Sequence, residues 1–194
     1  MNLEYLRTAT RPEHEATESA MPLMAPGLTL EGYAGVLQWL HVLISSFEQW
    51  AEAHAPVDLL EMVINRQRRA LLEQDILLLG AAPGKETMKF QEFRIPGLQA
   101  NDQIFRASFL GAMYVVEGST LGGQHIARHV EKVLNIKAGK GNAYFRGYGD
   151  RTGMMWQEFK AVLTDVPEDQ SDHVIAAAKA MFRVFGDGMQ LQVG

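Results

Sequence analysis

Tyr114-Val-Val-Glu-Gly118-Ser119-Thr-Leu-Gly122-Gly123-Gln124-His125 sets three glycines into a stretch whose flanks read as helix. Tyr114, Val115 and Val116 lead in, and Ile126, Ala127, His129, Val130 and Val133 continue an apolar period of about 3.6 residues. Each glycine inside a helix costs roughly 1 kcal/mol against alanine, so the three cost about 3 kcal/mol in local propensity. Something must offset that loss. Gly118 and Gly122 stand one turn apart on one face, with Gly123 beside them. A helix bare on one face can kink and let a flat object lie against its backbone. It can equally let a second helix pack closely, and on pattern alone packing is the commoner reason.

Around this stretch the chain reads as all-helical. Leu30 to about His54 carries Tyr33, Leu37, Leu40, Ile44, Phe47 and Ala51 at spacings of three and four. Val57 to Leu79 reads as a further helix, ended by Gly80-Ala-Ala-Pro83-Gly84. Residues 80 to about 101 and 139 to 149 read as loops. Asp102 to about Leu134 carries the glycines, and Asp150–Leu163 and Glu168–Phe185 are two closing helices. The seven prolines fall near helix starts or in connections. No segment sustains a period-two alternation, and no linker or repeat divides the chain. The expectation is one all-α domain over residues 1–194, with a tail that frays from about Gly186. Trp39, Phe47, Phe105, Phe109, Phe182 and Phe185 recur at helical spacing as core.

Composition narrows the function. At 194 residues, 47% hydrophobic and 21% charged, the chain is ordinary for a soluble domain. A formal net charge of −5 argues against bulk nucleic-acid binding. The absence of cysteine removes disulfides, thiolate ligands and a catalytic thiol. The N-terminal residues have no apolar signal core and no run approaches a membrane span, so the expected compartment is the cytoplasm.

Thr10-Arg11-Pro12-Glu13-His14-Glu15-Ala16-Thr17-Glu18 is the second informative stretch. Thr10 and Glu13 have capping-box spacing, and Pro12 is acceptable in a first turn, so a helix could begin here. Alternatively, a helix running through Leu3 and Leu6 continues past a kink at Pro12. In the first case the helix dipole keeps His14 neutral, as a metal ligand must be. Glu18, one turn on, can accept the proton of the other ring nitrogen and orient the ring. In a continuous helix Arg7 and Arg11 share the face of His14, which would suit an iron centre with carboxylate arms. A surface helix with ordinary charge pairs fits these residues as well.

Taken together, Leu6-Arg-Thr-Ala-Thr-Arg-Pro-Glu-His14-Glu-Ala-Thr-Glu18, Glu117-Gly-Ser-Thr-Leu-Gly-Gly-Gln124 and Tyr144-Phe-Arg-Gly-Tyr148-Gly-Asp-Arg-Thr-Gly153-Met-Met-Trp156 make the sequence resemble the heme oxygenases. The resemblance is greatest to the bacterial type found with biliverdin-binding photoreceptors. It implies a multi-helical fold holding heme between a proximal helix and a glycine-kinked distal helix. It implies that His14 is the axial ligand, that Glu18 supports it, and that Arg7, Arg11 and, more weakly, Lys160 meet the propionates. Gly118, Ser119, Gly122 and Gly123 would form the distal side. The implied reaction is oxidative cleavage of heme to biliverdin, carbon monoxide and ferrous iron, with electrons from a ferredoxin or a reductase and a photoreceptor as a possible recipient. Ser119 departs from the mammalian-type branch, which has an aspartate there, and this puts the proton-delivery route in doubt.

Two further clusters compete for attention. His125 and His129 could form a metal pair on one helical face, but no third ligand stands out, and a solvated or packed pair is the commoner outcome. Arg66, Arg68 and Arg69 could dock an acidic electron donor, although a solvated helix face explains them more simply. No Glu-x-x-His occurs, which counts against a ferritin-like di-iron bundle. The alternatives to catalysis are a heme carrier or sensor of the same fold and, weakened by the lack of cysteine, a thiaminase-like hydrolase.

Overall fold

The computed structural model describes residues 1–84, 89–99 and 102–190, and among these every regular element is helical. Seven α-helices follow in order: α1 Leu3–Ala20, α2 Leu30–His54, α3 Leu60–Ile64, α4 Arg69–Leu78, α5 Asp102–Leu134, α6 Thr152–Thr164 and α7 Ser171–Gln190. Short 3-10 turns join them, including Tyr144–Arg146 ahead of α6.

The glycine-bearing helix α5 and the last helix α7 make the central contact. Ala107, Phe109, Leu110 and Met113 of α5 are buried, as are Val174, Ala177, Ala178 and Met181 of α7. The helices approach backbone to backbone at Gly111, where an added Cβ would lie 2.2 Å from the Val174 carbonyl oxygen. α1 docks on another side of α7. There the Thr17 hydroxyl donates to the Phe182 carbonyl at 2.8 Å, and Arg183 donates to the Glu13 carboxylate at 2.9 Å. Both α1 and α5 thus pack extensively on α7, and far less on each other. α2 has its two ends where the apolar period places them. It is buried along most of its length and carries the aromatic cluster in which Trp50 meets Phe90, Phe105 and Phe109.

One open alternative is decided and two expectations change. First, α1 is one helix from Leu3, capped by the Asn2 carboxamide, with Pro12 inside it. The Thr10 hydroxyl bonds back to the Leu6 carbonyl at 2.8 Å instead of capping a new start. Second, Val57–Leu79 is not one helix. It breaks between Ile64 and Arg69, because the Glu48 carboxylate of α2 accepts the backbone N–H groups of Arg68 (2.6 Å) and Arg69 (3.1 Å) and caps α4 from outside. Third, α7 runs past Gly186 to Gln190. Gly186 packs against Thr17 and Ala20 of α1, and the Trp39 indole donates to the Phe185 carbonyl at 3.2 Å, so tertiary contact extends this helix. The remainder of the expected tail, 191–194, lies outside the described residues.

The glycines of α5 should therefore respond in opposite ways. Gly111→Ala forces a methyl group into a backbone carbonyl and should cost about 1–3 kcal/mol or more through overpacking. Gly122→Ala meets nothing within 4 Å and should gain up to about 1 kcal/mol of helix propensity. Thermal melting of the two variants checks this: a lowered midpoint is expected for the first and an equal or raised one for the second.

Candidate functional site

α1 and α5 both pack on α7 and touch each other little, and the candidate cleft is the space between these two helices. The two come together at Tyr114 of α5. Burial raises the pKa of its phenol, and a hydrogen bond with Thr10 and the charge of Arg7, both on α1, pull it back. From there the α1 stripe runs to His14 and the α5 stripe to Gly118 and Gly122.

On α1, His14 is exposed to the cleft and solvent, and its ring meets the edge of Phe182 from α7 at 5.2 Å. Glu18 Oε1 lies 3.5 Å from His14 Nε2, close enough for charge interaction but long for a hydrogen bond. Because α1 is continuous, His14 sits well past the first turn, and its environment is set by Glu18 and Phe182 instead of by the positive end of a helix. Pro12 does not carry Arg7 away. Arg7 is the arginine beside Tyr114, whereas Arg11 is largely in solvent and donates to Glu15 at 2.7 Å, a pairing that raises its pKa. Lys160 is half-buried on α6. The end of that helix lies against the start of α1, where the Met1 ammonium donates to the carbonyls of Thr164 and Val166.

On α5 the glycines separate into two roles. A Cβ on Gly122 would meet nothing within 4 Å, and one on Gly118 only Trp156, at 3.9 Å. Gly123 differs: its Cβ would fall 2.6 Å from the Phe145 carbonyl oxygen, so it serves the close approach of the Tyr144–Arg146 turn and does not share the open face. The Ser119 hydroxyl donates to the Val116 carbonyl at 2.7 Å. Nearby, burial raises the pKa of the Tyr144 phenol, and the charge of Arg68 and an interaction with the Ser119 hydroxyl oppose the shift. The two histidines further along have separate partners: His125 pairs with Arg128, and His129 with the Ala25 carbonyl.

The basic cluster is the largest departure from expectation. Arg66 and Arg68 are neither a solvated face nor a docking patch, since both are buried. Arg66 donates to Glu117 at 2.6 Å and to Glu158 at 3.2 Å, and the Tyr148 hydroxyl donates to Glu117 at 2.7 Å. Arg68 donates to the Val116 carbonyl at 2.9 Å and lies over the rings of Tyr144 and Tyr148. Arg69 is the partly exposed member, 3.7 Å from Glu52. Burial raises the pKa of Glu48 and Asp75, though backbone N–H groups at both oppose the shift. In Asp75 those donors include Ala143 and Tyr144, so its carboxylate anchors the turn behind α5. One signal for this network was available in the sequence: Glu117 falls among the buried positions Met113, Val116 and Thr120 of α5.

The model of the heme oxygenase family matches residues 2–190. The chain belongs to the heme oxygenase family. The solved structure of heme oxygenase from Leptospira interrogans superimposes with a TM-score of 0.77 at 22% identity, covering 96% of this chain and 97% of that one. At that identity the likeness concerns the fold. No curated protein matches the sequence significantly. Heme degradation is the family's chemistry, and the residues along α1 and α5 are of the kinds that could hold a heme. α1 offers an accessible imidazole beside a carboxylate and against the edge of Phe182, and α5 offers helix backbone without side chains at Gly118 and Gly122. Among the described residues no helix is long and apolar enough to cross a membrane.

The buried tyrosines fix an alkaline limit. Burial, with the charges of Asp75 and Glu131, pushes Tyr33 far above its ordinary value of 10.0, and burial likewise raises Tyr148. Above pH 10 the unfolded chain loses these protons while the folded chain keeps them, so stability falls as pH rises. The slope is about 1.4 kcal/mol per pH unit for each tyrosine held neutral. Denaturant midpoints measured across the alkaline range should fall accordingly, and Tyr33→Phe should flatten the fall.

Proposed function

We propose that this chain cleaves heme oxidatively to biliverdin, carbon monoxide and ferrous iron, using oxygen and external electrons. What supports the reading is the His14–Glu18 turn on α1 together with the backbone left without side chains at Gly118 and Gly122 on α5, two helices that both pack on α7. His14 would hold the iron through one ring nitrogen, and Glu18, drawn in from 3.5 Å, would accept a hydrogen bond from the other and orient the ring. Arg7 and Lys160, with Arg11 once released from Glu15, supply charge-assisted hydrogen bonds to the propionates. Bound heme supplies the iron that takes up oxygen and the meso carbon that is oxidised.

The remaining residues decide where oxygen is delivered. Gly118 and Gly122 would offer backbone without side chains to a bound heme and leave room for ordered water. Ser119 spends its hydroxyl on the Val116 carbonyl, so it does not take the place of a side-chain acid; water and backbone groups organise the distal side. Gly123 contributes by holding the Tyr144–Arg146 turn against α5. The electrons come from a ferredoxin or a reductase in the cytoplasm, and a photoreceptor that binds biliverdin is a fitting recipient of the product.

Hemin titration into wild type and His14→Ala tests the ligand. The wild-type Soret and ferrous–carbon monoxide spectra should be lost or altered in the variant, and identical spectra would reject His14. Given oxygen, a reductant and catalase, the wild-type complex should yield biliverdin by chromatography; intact heme after many equivalents would make the protein a carrier. Gly122→Leu should keep the fold and the iron ligand, yet lose carbon monoxide binding and ring cleavage. Arg7→Gln with Arg11→Gln should weaken heme affinity and broaden the mixture of biliverdin isomers, with Arg7 the larger contributor.

A further inference from the structure

Trp156 of α6 lies beside Gly118 and Tyr114 of α5. Among the described residues, and leaving out the neighbouring backbone of α5 itself, it is the one residue within 4 Å of the position a Cβ would take on Gly118. Its ring lies 5.9 Å from that of Tyr114, where α1 and α5 converge, and 5.8 Å from Phe159 behind it. The other inward residues of α6, Met155, Phe159 and Leu163, are buried, whereas Trp156 keeps part of its surface open. A large flat ring left partly uncovered beside a bare helix face is a surface for another flat apolar group.

The ring is also held from behind. Glu117 immediately precedes Gly118, and Glu158 follows Trp156 by two residues; Arg66 bridges the two carboxylates. The Arg66 and Glu117 side chains are 4% and 3% exposed, whereas Glu158, the α6 end of the bridge, is 53% exposed. Tyr148 adds its hydrogen bond to Glu117. A buried ion pair of this kind is seldom worth more to stability than apolar side chains of the same volume. What it supplies here is registry: it pins α6 to α5 at the level of Gly118.

We propose that Trp156 determines the in-plane seating of the heme by closing the end of the cleft against one edge of the ring, and that the Arg66–Glu117–Glu158 bridge is the positioning device that holds it there. This rests on the heme-cleaving reading of the same cleft and adds the residue that selects which meso carbon lies under Gly118 and Gly122. Loss of the indole lets the ring slide or rotate in its plane, so more than one carbon is presented.

Proton NMR of the cyanide-bound ferric complex reads seating directly through the hyperfine-shifted heme methyl resonances, without turnover. Wild type, Trp156→Phe, Trp156→Leu, Trp156→Ala and the double variant Arg66→Met with Glu117→Leu are compared, each with its apo melting curve. The expected result is the wild-type methyl pattern in Trp156→Phe, which keeps a flat ring, and a second set of resonances in Trp156→Leu and Trp156→Ala. The double variant should melt near wild type and still show the second set, because it removes registry and not the core. Should the alanine variant fail to fold, the leucine variant decides. A single wild-type pattern in folded Trp156→Leu overturns the role of Trp156. A single pattern in the double variant overturns the positioning role of the bridge. If wild type forms no saturable hemin complex, the reading of the cleft itself falls, a result distinct from either.

Discussion

Gly111 lets α5 and α7 meet backbone to backbone, and that closeness governs the width of the cleft. With no side chain at Gly111, the Val174 carbonyl comes to within 2.2 Å of where a Cβ would be. α7 then presents its other side to α1, through Thr17 and Glu13, and fixes where His14 stands relative to Gly118 and Gly122. The glycine content of α5 therefore answers two separate needs. Gly111 and Gly123 bring backbones together, whereas Gly118 and Gly122 keep space open. Their identical chemistry hides opposite uses, which only the neighbours reveal.

Behind the open face lies an unusually polar interior. Glu48, Asp75, Glu117, Arg66 and Arg68 are all buried, and each has partners that offset its desolvation. Two of the carboxylates accept main-chain N–H groups and so terminate or anchor elements: Glu48 at the start of α4 and Asp75 at the turn Tyr144–Arg146. The arginines bind from the other direction, Arg68 at the Val116 carbonyl of α5. Charge here takes the place of local turn chemistry and ties α2, α4 and α6 to the helix that walls the cleft.

Much of the architecture was legible because long amphipathic helices announce themselves. Leu30 to His54 and Asp102 to Leu134 carry their apolar residues at spacings of three and four throughout, and the structure ends them where the pattern ends. The break at Asn65–Arg68 was not legible. No glycine or proline marks it, and its cause is a carboxylate on another helix. At Pro12 the sequence left a new start and a continuation both open, and packing carries α1 through a residue that lacks an amide hydrogen. For the cleft, the spacing of His14 and Glu18 and the bare positions of α5 could be read directly. The burial of Arg66 and Arg68 could not, because a run of arginines looks the same whether it faces water or a buried glutamate. Trp156 was visible only as part of a motif; its place beside Gly118 required the packing of α6.

The external cap on α4 also bears on the order in which the chain is made. Residues 57–79 carry a helical period from end to end, and nothing within the segment interrupts it. A ribosome, however, delivers Glu48 before it adds Arg68 and Arg69, so the acceptor that divides the segment already exists when its donors emerge. Vectorial synthesis thus favours the native boundary between α3 and α4 over a single long helix, and relieves a conflict between local preference and final packing that the amino-acid pattern alone leaves unresolved.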